Sequence, residues 1–150
     1  MKVSELDAAL RSLLRPGMAV HLTTQARAAT RAIQRVFRGQ YLGLTLIMGR
    51  IGGGHAADLL ASGLVKHVIA GSYGAVSRQY TGRLPQVQQV YAAGKVTFQH
   101  WTFFSLTQRL MAAAQGMQFV PTHSLAGSTM AAANQCLHIG YLRSCSQCLA

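Results

Sequence analysis

The chain has 150 residues, of which 50% are apolar and only 11% are charged. This length favours one domain with a real core, and no apolar run approaches the ~20 residues that span a bilayer. The formal charge of +11 makes nucleic acid the first partner class to consider. The arginines are mostly dispersed, however, and few aromatic residues lie among them, so nucleic-acid binding is disfavoured.

Strands and helices alternate along the whole chain. In chain order, we predict a helix over 4–14, a strand over 18–23, a helix over 25–38, a strand over 42–48, a helix over 55–61, a strand over 65–70, a helix over 84–93, a strand over 95–99, a helix over 105–115 and a strand over 117–120. This alternation predicts an α/β fold with an open, mostly parallel sheet and helices on both faces.

A glycine turn follows the apolar strand over 42–48. Gly52, Gly53 and Gly54 open the next helix, which implies parallel strands joined by a crossover helix. Such a unit leaves a glycine-lined crevice at the carboxyl end of the strand, where ligands of α/β sheets usually bind. The spacing matches neither the dinucleotide fingerprint nor the phosphate-binding loop, and a turn that only allows close packing is an equally good interpretation.

Ser72 and Tyr73 follow the strand over 65–70, at the kind of position where α/β proteins place ligand contacts. Ordinary turn chemistry explains them slightly better. Ser72 and Ser105 lack the G-x-S-x-G context of a hydrolase nucleophile. Asp58 lies early in its helix, where it favours the helix dipole, and we prefer that role to catalysis.

One helix carries a stripe of arginines. Arg27, Arg31, Arg35 and Arg38 fall at helical spacing on one face of the helix over 25–38. A solvated face is the simplest interpretation. A contact with an acidic partner chain, with nucleic acid or with a phosphate-bearing ligand is the alternative.

From residue 131 the sequence loses its periodicity, so we expect a domain over 1–130 and a divergent, poorly structured tail over 131–150. The tail contains Cys136, His138, Cys145 and Cys148. Three thiols and an imidazole form a legitimate zinc set, but the spacing is short for a known zinc module. Unconnected thiols in a reducing compartment are favoured, and we expect no metal site. The N-terminus, which carries Glu5 and Asp7, is not a secretory signal, so a cytoplasmic location is the default.

Several motifs occur in an order that resembles one known family. They are "RPGMAVHL", "ADLLASGLVKHVIAGSYG" and "YAAGKVTFQHWTFFSLTQRLMAAAQGMQFVPTHSLAGS". Together they cover roughly residues 5–130 and resemble the α subunit of the family I CoA-transferases, above all the glutaconate and 3-oxoacid CoA-transferase α subunits. The resemblance implies the three-layer, Rossmann-like fold of that subunit.

Members of this family move coenzyme A between carboxylic acids through a covalent glutamyl intermediate. In the family, that glutamate belongs to the β subunit. The single glutamate here, Glu5, sits in the first predicted helix, so the resemblance implies a non-catalytic α-type subunit, inactive alone, in a hetero-oligomer. Acyl-CoA and carboxylic acids are the implied substrates, with no bound cofactor and no membrane or nucleic-acid partner. The implied substrate-binding residues are Gly52, Gly53, Gly54, Ser72, Tyr73 and Thr24.

The chain departs from the family pattern in two places. Thr23, Thr24 and Gln25 stand where family α subunits usually show a G-G-F-like stretch near the acyl substrate. The chain is also shorter than family subunits, so we expect the last strands of the sheet to be missing. A truncated or frame-shifted product with no activity of its own is therefore a further hypothesis.

Overall fold

The computed structural model describes residues 3–52, 54–76, 81–82 and 84–133. Within these ranges the helices are α1 (Val3–Leu13), α2 (Arg27–Val36), α3 (Gly54–Ala61), α4 (Pro85–Ala92), α5 (Phe103–Ala114) and α6 (Thr129–Ala133). The strands are β1 (Ala19–His21), β2 (Leu44–Met48), β3 (Val65–Ala70), β4 (Ala75–Val76), β5 (Thr81–Gly82) and β6 (Thr97–His100). The predicted order of helices and strands is confirmed from α1 to α5, except that β4 and β5 lie between β3 and α4.

Four strands form one parallel sheet with the order β1-β2-β3-β6. Leu46 pairs with Val68, and Val68 pairs with Phe98, so β3 lies between β2 and β6. The side chains of β2 alternate between fully and partly buried, because both faces of a parallel sheet are covered by helices. All four carboxyl ends therefore lie at the same end of the sheet.

The larger core lies between the sheet and helices α2, α3 and α4. Leu46, Met48 and Val68 of the sheet are almost completely buried there, in one cluster with Ile33 of α2 and Leu60 of α3. The hydrophobic face of α2 is what brings this helix onto the sheet. Helix α1 contacts α2, and its Leu10 packs against the edge of the same core.

The opposite face of the sheet carries a smaller core. Trp101, Leu106 and Leu125 are buried together there, and the partly buried Ile47 and Ile69 of the sheet pack against them. Leu106 belongs to α5 and the buried Ala131 to α6. Helices thus cover both faces, which confirms the predicted α/β architecture.

Three local predictions need correction. The predicted strand over 117–120 is wrong: the amide of Met117 donates to the carbonyl of Ala112, and the segment pairs with no strand of the described sheet. Antiparallel strands β4 and β5 were not predicted, and neither was α6. A backbone amide that closes the end of α5 is unavailable for a sheet ladder, and this explains the first difference.

No helix in the described ranges is long and apolar enough to cross a membrane. Residues 134–150 lie outside the described residues. The boundary at residue 130 therefore stays a prediction, as does the character of the tail.

Candidate functional site at the carboxyl end of the sheet

The segments that follow β2 and β3 remain paired beyond the strands themselves. The amide of Ile51 donates to the carbonyl of Ser72 at 2.8 Å, and the amide of Gly74 donates to the carbonyl of Ile51 at 3.0 Å. Ile51 and Tyr73 form an isolated parallel bridge. The two loops are therefore fixed to each other through their backbones. We call the surface formed by residues 49–52, 71–74 and 101–102 the crevice.

Glycine is required at two positions of the crevice for close packing. A Cβ on Gly71 would lie 2.9 Å from the carbonyl oxygen of Gly49, and one on Gly52 would lie 2.7 Å from that of Gly74. Such distances are shorter than any relaxed contact, so a side chain at either position would force the loops apart. For Gly52 the packing interpretation of the glycine turn therefore has direct structural support.

Gly54 differs from Gly52 although both were predicted to contact substrate. A Cβ on Gly54 would meet no atom within 4 Å, and this residue begins α3 at an exposed position. It is therefore a place where a ligand has room to approach the amino terminus of a helix. Gly53 lies outside the described residues, so its predicted role stays a prediction.

Tyr73 ties the loop after β3 to the neighbouring strand β6. Its hydroxyl donates to the carbonyl of Gln99 at 3.1 Å, and its ring lies 4.8 Å from that of His100 and 5.5 Å from that of Phe98. Burial raises the pKa of the Tyr73 phenol well above its ordinary value of 10.0. The phenol is therefore a neutral, fixed group at physiological pH.

The other two predicted contacts, Ser72 and Thr24, are more accessible. Ser72 is half-buried, and its hydroxyl has no hydrogen-bond partner among the described residues, whereas its carbonyl accepts from Ile51. Thr24 is exposed in the turn after β1, next to β2 in the sheet. Gly52, Ser72 and Tyr73 are thus brought together by backbone bonds, and Thr24 lies on a separate loop at the same end of the sheet.

The sequence reasoning missed how β6 contributes. The amide of Trp101 donates to the carbonyl of Ala70 at 2.9 Å, which extends the sheet by one residue. Thr102 then caps α5: its hydroxyl accepts from the amide of Ser105 at 3.0 Å, and the Ser105 hydroxyl accepts from the amide of Thr102. The T-x-x-S spacing of this capping box was the signal, because it places the helix start at residue 103 rather than 105.

Two further features surround the crevice. The guanidinium of Arg50 lies over the ring of Phe103, 5.5 Å from its centroid, and joins the loop after β2 to the start of α5. Trp101 is only 5% exposed, and its indole nitrogen has no hydrogen-bond partner among the described residues. Ser105 is also buried, and its capping role explains it without any catalytic function.

The acidic residues of the chain lie elsewhere. Glu5 and Asp7 belong to α1, which contacts α2, and Asp58 is exposed in the second turn of α3. No carboxylate therefore belongs to the loops that form the crevice. In the part of the chain that the structure describes, no group of three or more metal-ligating side chains comes together. The predicted thiol set, with Cys136 and Cys145, lies outside that part.

The four arginines of the stripe are all exposed. The helix ends at Val36 and not at residue 38 as predicted, so Arg38 lies in the turn that follows α2. Arg35 forms an ion pair with Asp7 of α1. The hydrogen bond from Arg35 and its nearby charge hold the pKa of the Asp7 carboxyl below its usual value. The stripe thus lies on the α1 side of the molecule and not in the crevice.

The profile of the coenzyme A transferase family matches residues 3–136. No curated protein matches the chain. These results do not support the alternative hypothesis of a basic module that binds nucleic acid or an acidic protein.

Two solved structures have a similar fold. Glutaconate coenzyme A-transferase from Acidaminococcus fermentans is 25% identical, with a TM-score of 0.66 over 83% of this chain and 39% of its own. A variant of the decarboxylase AibA/AibB is 19% identical, with a TM-score of 0.72 over 87% of this chain and 50% of its own. The chain thus spans half or less of the length of these two proteins.

Proposed function

Because the chain belongs to the coenzyme A transferase family, we propose that it is the α-type part of a CoA-transferase. In this proposal it shapes the substrate site and supplies no nucleophile. A β-type partner chain brings the reactive carboxylate to the crevice.

The proposal depends mainly on the location of the acidic residues. The reaction of this family needs a carboxylate beside the acyl group, and the chain has a single glutamate, Glu5, which belongs to α1 and to none of the loops that form the crevice. The crevice instead offers backbone N–H groups, two hydroxyls and a neutral phenol. Such groups orient and stabilise an oxyanion, but they do not supply the carboxylate nucleophile that attacks the thioester carbonyl.

The proposed chemistry divides the transfer into reversible acyl exchanges. A carboxylate oxygen of the partner's glutamate attacks the thioester carbonyl. The C–S bond breaks, coenzyme A departs as its thiolate, and an acyl-glutamyl anhydride forms. The thiolate then attacks the glutamyl carbonyl, which forms the glutamyl thioester and releases the first carboxylic acid as its anion. The acceptor carboxylate then attacks the glutamyl thioester and expels the thiolate, which forms a second anhydride. The thiolate attacks the acceptor's carbonyl in this anhydride, which releases the new acyl-CoA and restores the glutamate.

The residues of this chain would act on the oxyanions of these steps. Each attack makes a tetrahedral carbon with a negative oxygen, which preorganised donors in a water-poor site stabilise strongly. Ser72 has an uncommitted hydroxyl and Gly54 lies at an open helix start, so these two are the proposed donors. Tyr73 and Gly52 hold the loops in place, and Thr24 reaches the acyl group from the neighbouring loop.

Coexpression with a β-type subunit tests the proposal. We expect the 150-residue chain alone to exchange no labelled acetate into acetyl-CoA, and the complex to do so. After incubation with acyl-CoA, reduction with borohydride should modify a glutamate of the partner and none of this chain, as intact-mass analysis would show.

Matched variants separate the roles within the complex. Glu5→Gln should leave the exchange rate unchanged, whereas Ser72→Ala should lower it by about tenfold to a hundredfold, the scale for loss of one oxyanion donor. Exchange by the purified chain alone, or its loss in Glu5→Gln, would overturn the assignment of the nucleophile to a partner.

A further inference from the structure

A second concave site lies at the opposite, amino end of the sheet. It is an open cavity of about 520 Å³. Its lining includes Arg31, Gln34 and Arg35 of α2, Arg38 in the turn after this helix, and Ser62, which directly follows α3. Its volume is within the range that small-molecule sites of roughly 300–1,000 Å³ occupy. The arginine stripe therefore borders a cavity and is not simply a flat, solvated face.

Most of the positive charge around this cavity has no carboxylate partner in the described residues. Of its three guanidinium groups, only that of Arg35 has a carboxylate partner in the described residues, namely Asp7 of α1. Arg31 and Arg35 lie one turn apart on α2, a spacing at which like charges repel, and Arg38 adds a third charge in the turn after the helix. A bound anion would relieve this repulsion, and guanidinium groups bind phosphate oxygens in a bidentate manner.

The cavity is separate from the crevice. Gly39 and Ser62, which line it, precede β2 and β3, whereas the crevice follows the same two strands. Strand β2 has five residues, which puts roughly 17 Å between the two ends of the sheet. A ligand in the cavity would therefore not compete for the groups that face the acyl substrate.

We propose that this cavity binds a phosphate-bearing small molecule of about nucleotide size, with Arg31 and Arg38 holding its phosphate oxygens. The concave shape favours such a ligand over an extended nucleic acid, which would follow the stripe along its length and use Arg27 as much as Arg38. The observations that support this site do not depend on the proposed transfer chemistry.

Titration calorimetry of the full 150-residue chain with ADP, in 0.15 M NaCl to screen the net charge, tests the proposal. We expect ADP to bind and adenosine not to bind. The double variant Arg31→Ala/Arg38→Ala should weaken the affinity for ADP at least tenfold, which corresponds to about 1.4 kcal/mol of binding free energy. Arg27→Ala is the matched control, because Arg27 is exposed on the same face of α2 but does not line the cavity; it should change the affinity less than twofold. Asp7→Asn should tighten binding.

Coenzyme A contains the same adenosine diphosphate unit and forms a second arm of the experiment. Tighter binding of ADP assigns the cavity to a free nucleotide, and tighter binding of coenzyme A assigns it to the phosphates of the transfer substrate. No ADP binding, an equal loss in Arg27→Ala, or an unchanged affinity in the double variant would overturn the proposal. Thermal melts without ligand show whether each variant is folded.

Discussion

The two ends of the parallel sheet are built in opposite ways. At the carboxyl end, backbone atoms contact backbone atoms. The amide of Gly74 donates to the carbonyl of Ile51, and Gly71 lies against Gly49 with no space for a methyl group. At the amino end, long charged side chains such as Arg31 and Arg38 surround an open cavity.

The difference indicates which kind of change each end tolerates. Backbone packing fixes positions without any side chain, so a new methyl group at the carboxyl end must displace a loop. An exposed arginine contributes little to folding, so its removal changes binding and not structure. Variants at the two ends should therefore separate into those that alter stability and those that alter affinity.

The largest expected effect is that of Gly52→Ala. Its new Cβ would lie 2.7 Å from the carbonyl oxygen of Gly74, so the loops after β2 and β3 must move apart. We expect a loss of about 1–3 kcal/mol in the free energy of unfolding, the usual cost of overpacking. Chemical denaturation followed by circular dichroism measures it.

Gly54→Ala is the control for Gly52→Ala, because its Cβ would occupy open space. We expect its unfolding free energy to stay within about 0.5 kcal/mol of the parent chain. A loss of acyl exchange in the Gly54→Ala complex, without a loss of stability, would indicate that substrate approaches there. Equal destabilisation by the two variants would contradict the described packing.

The next largest effect is expected from Thr102→Ala, which removes the capping box at the start of α5, shortly after β6. The free amide of Ser105 would then lack its acceptor, and we expect a loss of about 1 kcal/mol. Thr107→Ala, on the exposed side of the same helix, should change the stability by less than about 0.5 kcal/mol. A smaller effect at residue 102 than at residue 107 would show that the cap is unimportant.

The contrast between the two ends also explains what the sequence could predict. The apolar run of β2 and the glycine after α3 predicted their elements, since both are local signals. The pairing of Ile51 with Tyr73 and the contact of Gly71 with Gly49 join residues far apart in sequence, so no local pattern contains them. The sequence therefore allowed for close packing at the glycine turn, but it could not predict which backbone atoms pack there.

At the amino end of the sheet, too, local patterns predicted the element but not its long-range contacts. Helical spacing alone predicted that Arg31, Arg35 and Arg38 share a face. That this face borders a cavity depends on Ser62, which reaches it only because the crossover from β2 through α3 returns there. The ion pair between Asp7 and Arg35 likewise depends on how α1 packs against α2.

A smaller effect at the carboxyl end is expected from Tyr73→Phe, which removes the hydrogen bond to the carbonyl of Gln99. We expect a loss of about 1 kcal/mol at neutral pH. Because burial raises the pKa of the phenol above 10.0, the parent chain should lose stability as the pH rises above that value, when only the unfolded chain ionises. Thermal melts from pH 8 upward should show a shallower alkaline decline in the Phe variant, and identical declines would contradict the burial of the hydroxyl.

The smallest effect belongs to the ion pair at the other end, where both partners are largely solvated and salt screens them. The hydrogen bond from Arg35 lowers the pKa of Asp7, so the pair stabilises the fold above the ordinary carboxyl value of 3.8 and is lost as the pH falls through the lowered one. Asp7→Asn should therefore remove part of the acid decline in melting temperature and leave the alkaline decline unchanged. Arg35→Gln should have the same effect, and the double variant should add nothing to either. Additive losses would mean that the two side chains act separately, and the charge left around the cavity would then be larger than the geometry indicates.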